Sequence, residues 1–206
     1  DGTYQSVTGI DVSVYQKKVN WKKVKAAGVD FVIIRLGYRG YDEDGDLALD
    51  SKFKDHLKGA KEAGLDVGVY FFSQAKTTDE AIREARFVVR HIRGKGITYP
   101  VVFDMEPIDG ADRITDLNAE EKTQIADAFC QVIDRNGYTP MIYGNPQWLK
   151  KHVNLEYLTK YDTWLAHYAD ETDYPYAFKM WQYSHTGKVN GIKGRVDLNM
   201  YFIESQ

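Results

Sequence analysis

A chain of 206 residues fits one domain and is long enough to bury a full core. With 43% hydrophobic and 28% charged residues and a formal net charge of −3, it has a globular balance and lacks the overall basic charge that nucleic-acid binding demands. No apolar stretch is long enough to insert in a membrane, and the lone Cys130 excludes an internal disulfide and a cysteine-based metal site.

The chain opens with Asp1-Gly-Thr-Tyr4, with neither an initiator Met nor an apolar leader, as expected of a processed or trimmed product cut from a longer precursor. A first strand is predicted at Gly9–Ser13, and Asn20 can cap a helix over Trp21–Ala27. Gly28 then precedes an apolar strand ending at Leu36, and Asp50 can cap a helix that shows Phe53, Leu57 and Ala60 on one face. Gly64 precedes a strand ending at Ser73, and Thr77 with Glu80 reads as a capping box. Gly94 and Gly96 precede the strand Tyr99-Pro-Val-Val-Phe-Asp104, and Asn118 with Glu121 opens a helix that contains Cys130. Gly137 precedes the strand ending at Tyr143, and Asn145-Pro146 starts a further helix. Strands at Thr163–Tyr168, Phe178–Ser184 and Val196–Tyr201 complete the chain, joined by short polar connections without full helices.

Glycine just past a helix takes the left-handed conformation other residues resist. From Gly28 to Gly64, Gly96 and Gly137 it recurs at the period of one helix plus one strand. Near-continuous apolar strands in such an alternation predict a parallel sheet covered by helices. The expected fold class is α/β: an irregular β/α barrel of eight strands and about five substantial helices, one domain over residues 1–206. An open doubly wound sheet is the alternative, but its Gly-rich phosphate turn is missing after the first strand.

In such a barrel, polar residues at strand C-terminal ends line the active face. Reading the strand ends gives Asp11 and Ser13, then Arg35, then Tyr70 and Ser73, then Asp104 and Glu106. The later strands give Tyr143 and Asn145, Tyr168, Trp181 and Gln182, and finally Asp197 and Asn199. Asp104 and Glu106 share a strand face, about 7 Å apart at the backbone. Two carboxylates beside an apolar wall are costly to keep ionised together, which suits chemistry needing one protonated and one ionised group. Glycosidic cleavage is that chemistry, with aromatic rings to hold sugar faces; the chain has fifteen Tyr, nine Phe and four Trp. The competing readings are a salt bridge from the pair to Arg35, an Asp197–Arg195 pair, and a metal site of Asp104, Glu106 and His185. No serine elbow appears, and no cofactor is expected.

The segments Gly9-Ile-Asp-Val-Ser-Val-Tyr-Gln16, Asn20-Trp21, Gly28–Arg35, Gly68-Val-Tyr-Phe-Phe-Ser73 and Pro100-Val-Val-Phe-Asp-Met-Glu106 occur in one order with Pro140–Tyr143, Trp164-Leu-Ala166, Trp181-Gln-Tyr183 and Gly194-Arg-Val-Asp-Leu-Asn199. Together they resemble the catalytic domain of glycoside hydrolase family 25, the Chalaropsis-type lysozymes. The resemblance implies a β/α barrel with fewer than eight helices. It implies cleavage of the β-1,4 bond between N-acetylmuramic acid and N-acetylglucosamine in peptidoglycan, outside the cell. It implies Glu106 as general acid, with Asp104, Asp11 and Asp197 as assisting carboxylates. Arg35, Tyr70, Tyr143, Tyr168, Trp181 and Gln182 are the expected substrate contacts, peptidoglycan strands the expected partner and a monomer the expected state. Asp104 and Glu106 stand too close to flank a water across the sugar, so attack by the substrate's own acetamido oxygen is the expected route. Chitinase-like or endo-N-acetylglucosaminidase activity, and a non-catalytic wall-binding module, are the alternatives.

Overall fold

Residues 4–111 and 113–204 are described by a computed structural model. The reading of Asp1-Gly-Thr as a trimmed start lies outside the described residues. Strands β1 (Tyr4–Val12), β2 (Phe31–Arg39), β4 (Asp66–Ser73), β5 (Val101–Met105), β6 (Pro140–Gly144), β7 (Asp162–Ala166), β8 (Met180–Gly187) and β9 (Val196–Glu204) form one sheet that closes where β1 pairs with β2. The expected barrel of eight strands is therefore present. A short strand not foreseen, β3 (Leu47–Leu49), folds back antiparallel on β2. The helices are α1 (Trp21–Ala26), α2 (Phe53–Glu62), α3 (Thr78–Ile92), α4 (Ala119–Arg135), α5 (Pro146–Lys151) and α6 (Leu155–Leu158).

The sheet is mixed rather than wholly parallel as expected. Strand β9 runs antiparallel to both β8 and β1. The reason is the connection: a parallel neighbour needs a long crossover, usually a helix. The stretch from Lys188 to Arg195 has none, so β9 can only turn back along β8.

The caps follow local chemistry. Asn20, Thr77, Asn118 and Asn145 each accept the backbone N–H three residues on, satisfying donors a helix start leaves open. Asn118 and Glu121 complete a capping box. Thr77 and Glu80 do not, because the Glu80 carboxylate accepts the Lys76 N–H and the Arg113 guanidinium instead. Asp50 does not cap α2 either: Lys52 holds that position, and the Asp50 carboxylate is buried against Arg35. After the helices, Gly28, Gly64 and Gly137 take φ of 90°, 78° and 81°, the left-handed turn expected of them.

Two apolar clusters result. The larger lies between sheet and helices; the smaller fills the barrel with Phe31, Ile33, Val102, Met141, Trp164 and Met180. Gly9 is required there, since a Cβ would sit 2.2 Å from the Phe31 ring. Strand alternation carries the inward face of β1 from Gly9 to Asp11, that of β2 from Phe31 and Ile33 to Arg35, and that of β5 from Val102 to Asp104. The apolar plug thus ends in a polar layer at one mouth.

Candidate active site

Asp11 is 5% exposed, and its Oδ2 accepts Gln182 Nε2 at 2.8 Å and Asn199 Nδ2 at 2.9 Å. Neither amide could be turned around without loss. Gln182 Oε1 accepts the hydroxyls of Tyr143 (2.7 Å) and Tyr168 (2.9 Å), and Asn199 Oδ1 accepts Trp164 Nε1 (2.8 Å). An amide whose oxygen is so engaged must aim its N–H groups the other way. Five side chains from four strands and one loop therefore hold a single carboxyl in place. Asp197 faces it directly, as its partner in the β1–β9 register, with the two carboxyls within hydrogen-bonding reach.

Asp104, also 5% exposed, stands on β5, and Glu106 follows one residue past the end of the strand. The Glu106 backbone is held by Gln74 Nε2, which donates to its carbonyl at 2.9 Å. Asp104 Oδ1 is fully buried and has no hydrogen-bond partner among the described residues. A buried acceptor left unpaired is costly, so an atom in this state marks where a donor from outside would bind.

Electrostatics bind the four carboxyls into one unit. Burial, then the nearby charges of Glu106 and Asp11, push Asp104 well above the usual carboxylate range, with Arg35 pulling it back. Burial and the charge of Asp197 raise Glu106. Burial, then Asp197, raise Asp11 well above its ordinary value, and burial raises Asp197. Burial and mutual repulsion oppose ionising all four together, and the carboxyls within each of the pairs Asp104–Glu106 and Asp11–Asp197 titrate jointly. A group that holds a proton beside one that has lost it can deliver acid and stabilise positive charge at the same point.

The competing reading, a salt bridge from the Asp104–Glu106 pair to Arg35, is not what forms. Arg35 Nε pairs with Asp50 at 2.8 Å, and Asp50 also accepts the Val14 N–H. Arg35 still borders the site, its guanidinium 5.5 Å from the Tyr15 ring and 5.4 Å from Tyr38. Tyr70 and Tyr143 stand edge-on to Trp164 at 6.2 and 4.8 Å, forming the aromatic wall below the carboxyls. Tyr168, 49% exposed, is the rim.

Trp181 is a correction. It alternates with Gln182, so it lies on the other face of β8, donates Nε1 to the His167 carbonyl and packs on Phe178 and Tyr183. Asp197 does not pair with Arg195, and the triad of Asp104, Glu106 and His185 is not assembled: His185 packs tilted against Tyr168, ring centroids 4.3 Å apart. Among the described residues, no group of three or more His, Cys, Asp or Glu is arranged to hold a metal ion. Strand-end reading overlooked Trp164, Gln74 and Asp50. Trp164 could have been found, since it sits two residues before Ala166 on an inward-facing register. The other two act through folding contacts that no local pattern announces.

The family model for glycosyl hydrolases family 25 matches residues 10–192. Lysozyme M1 of Streptomyces globisporus is 28% identical over 207 residues, covering 95% of this chain and 67% of that one. An N,O-diacetylmuramidase of Chalaropsis is 29% identical over 151 residues, 69% of this chain and 68% of its own. The solved structure of the modular autolysin LytC from Streptococcus pneumoniae, in complex with a synthetic peptidoglycan ligand, superposes with a TM-score of 0.82 at 25% identity and 96% coverage of this chain. This chain spans 47% of the length of that autolysin.

Proposed function

The chain belongs to glycosyl hydrolases family 25, and from that premise we propose that it is a muramidase, hydrolysing the β-1,4 bond between N-acetylmuramic acid and N-acetylglucosamine in peptidoglycan. The observation that carries this reading is the pair Asp104–Glu106 at the barrel mouth, the first buried and the second half-buried, with both carboxyls raised and an aromatic wall beneath. The enzyme works in the wall, outside the membrane, with residues 1–206 as one catalytic domain, and as a monomer.

Glu106 is the general acid. Its proton passes to the glycosidic oxygen as the bond to the anomeric carbon breaks, and the sugar bearing that oxygen leaves as an alcohol. Asp104 is the orienting base. Its unpartnered Oδ1 accepts the acetamido N–H of the muramic acid, which turns the acetamido oxygen onto the anomeric carbon and closes a ring. That donor stabilises the ionised form of Asp104 and so passes the shared proton to Glu106 when the sugar binds. Glu106, now ionised, takes a proton from water, whose oxygen opens the ring from the face the leaving group left, and configuration is retained. Asp11 and Asp197 keep this proton count in place. Tyr70, Tyr143, Tyr168, Gln182 and Arg35 line the bound sugar.

Mass spectrometry of purified peptidoglycan after digestion tests the substrate, and proton NMR of the nascent ends tests the route. The expected products carry reducing-end muramic acid, released first as the β anomer. A reducing-end glucosamine would overturn the muramidase reading, and an initial α anomer would overturn acetamido attack.

A further inference from the structure

On the outside of the barrel, α3 and α4 pack side by side, and toward their C-terminal ends they leave a groove of about 430 Å³. Its walls are Arg86, Arg90 and Arg93 from α3 and its end and Arg135 from α4, over a floor of Val89 and Val132. Arg86, Arg90 and Arg93 follow one another at spacings of four and three, which puts them on one helix face. All four arginines are exposed. Among the described residues none of them enters an ion pair, and Arg135 donates only to the neutral Gln131 side chain, at 3.0 Å.

The charge is local, because the whole chain is net −3. Between Arg83 and Lys95 the only acidic residue is Glu84. Its side chain is buried against Arg39, away from the groove. Basic residues in a last helical turn offset the negative end of the helix dipole, and that accounts for Arg90, Arg93 and Arg135 singly. It does not account for Arg86, six residues before the end of α3, where the dipole has faded. Nor does it account for four guanidinia gathered without counter-charge around one recess, which costs repulsion unless an anion fills it.

Guanidinium groups match oxyanions through paired N–H donors, and four of them spread over two helices suit an extended ligand with repeating charge better than a single carboxylate. The groove also lies at the end of the barrel opposite the carboxyls, since each helix starts at the mouth and runs back from it. We propose that this groove binds the phosphodiester backbone of an anionic wall polymer and so holds the enzyme on the layer it cuts. The choice of a wall polymer rests on the function proposed above.

The test uses calorimetry of the full chain with inorganic tripolyphosphate and with a synthetic poly(glycerol phosphate) oligomer. Both are expected to bind, with affinity that falls as salt rises. The exposed double variant Arg90→Glu/Arg93→Glu is expected to weaken binding about tenfold or more, while hydrolysis of a short soluble muropeptide-free glycan stays unchanged. Cosedimentation with intact walls is expected to drop when the walls are stripped of phosphate polymers. Absence of binding, binding indifferent to the double variant, or equal retention on stripped walls would overturn the proposal. So would equally tight binding of a DNA duplex of matched charge. Binding needs no hydrolysis, so an inactive enzyme that still binds would count against the muramidase reading alone.

Discussion

At the scale of single residues, the account turns on Glu106. Glu106→Gln keeps the shape of the side chain but cannot donate a proton to the leaving oxygen. Turnover is expected to fall about 10²–10⁴-fold with the fold intact by circular dichroism. The same substitution removes one of four mutually repelling carboxyls, so the melting temperature at neutral pH is expected to rise, by the equivalent of about 1 kcal/mol. Substantial residual turnover would refute the role of acid; a lower melting temperature would refute the repulsion. Asp104 and Glu106 were legible in the sequence because an apolar run fixes a strand and a strand fixes which side chains share a face. The partner of Arg35 was not, because Asp50 reaches it only through the β2–β3 hairpin, which no hydrophobic periodicity marks. Trp181 was misplaced by one step of the same alternation that correctly placed Gln182.

At the scale of elements, the barrel mouth depends on Arg113, in the connection after β5. Its guanidinium donates to the carbonyls of Gln74, Asp42 and Glu43 and to both carboxylate oxygens of Glu80, at 2.8 Å each for the latter two. One buried side chain thus ties the β2–β3 hairpin, the start of α3 and the loop behind Glu106 together, and Gln74 passes that restraint to the Glu106 backbone. Arg113→Ala should cost about 3 kcal/mol or more, since it strands carbonyls and a carboxylate. It should also lower kcat more than it raises KM, because the acid loses its position while the sugar contacts remain. Chemical denaturation and steady-state kinetics check both; an unchanged kcat would show that the loop holds itself. The repeating helices and strands were legible from glycines and caps. The reversal of β9 was not, because antiparallel return follows from a missing crossover rather than from any residue within the strand.

At the scale of the whole molecule, the raised carboxyls set how stability varies with pH. A carboxyl whose pKa rises on folding keeps a proton that the unfolded chain has released, so stability falls as pH climbs from the unfolded value through the folded one. Burial pushes Glu84 from 4.5 up to about 7 against its contacts with Ser73 and Arg39, and Asp11, Asp104, Glu106 and Asp197 act in the same direction. Asp127 and Glu80 act oppositely. Against desolvation, Lys160 and Tyr161 hold Asp127 low, and the Lys76 N–H with Arg113 holds Glu80 low, so their contribution is lost in acid. The melting temperature is therefore expected to peak at about pH 5 and to decline toward neutrality. Glu84→Gln should flatten that decline; a peak above neutrality would contradict the balance. The most direct test of the account is a carbon-13 NMR titration of the carboxyl groups of Asp11, Asp104, Glu106 and Asp197. The account expects each pair to retain a proton well above the ordinary carboxylate range of about 4, and the upper step of the Asp104–Glu106 pair to vanish in Glu106→Gln. Four independent titrations, complete at ordinary carboxylate pH, would contradict it.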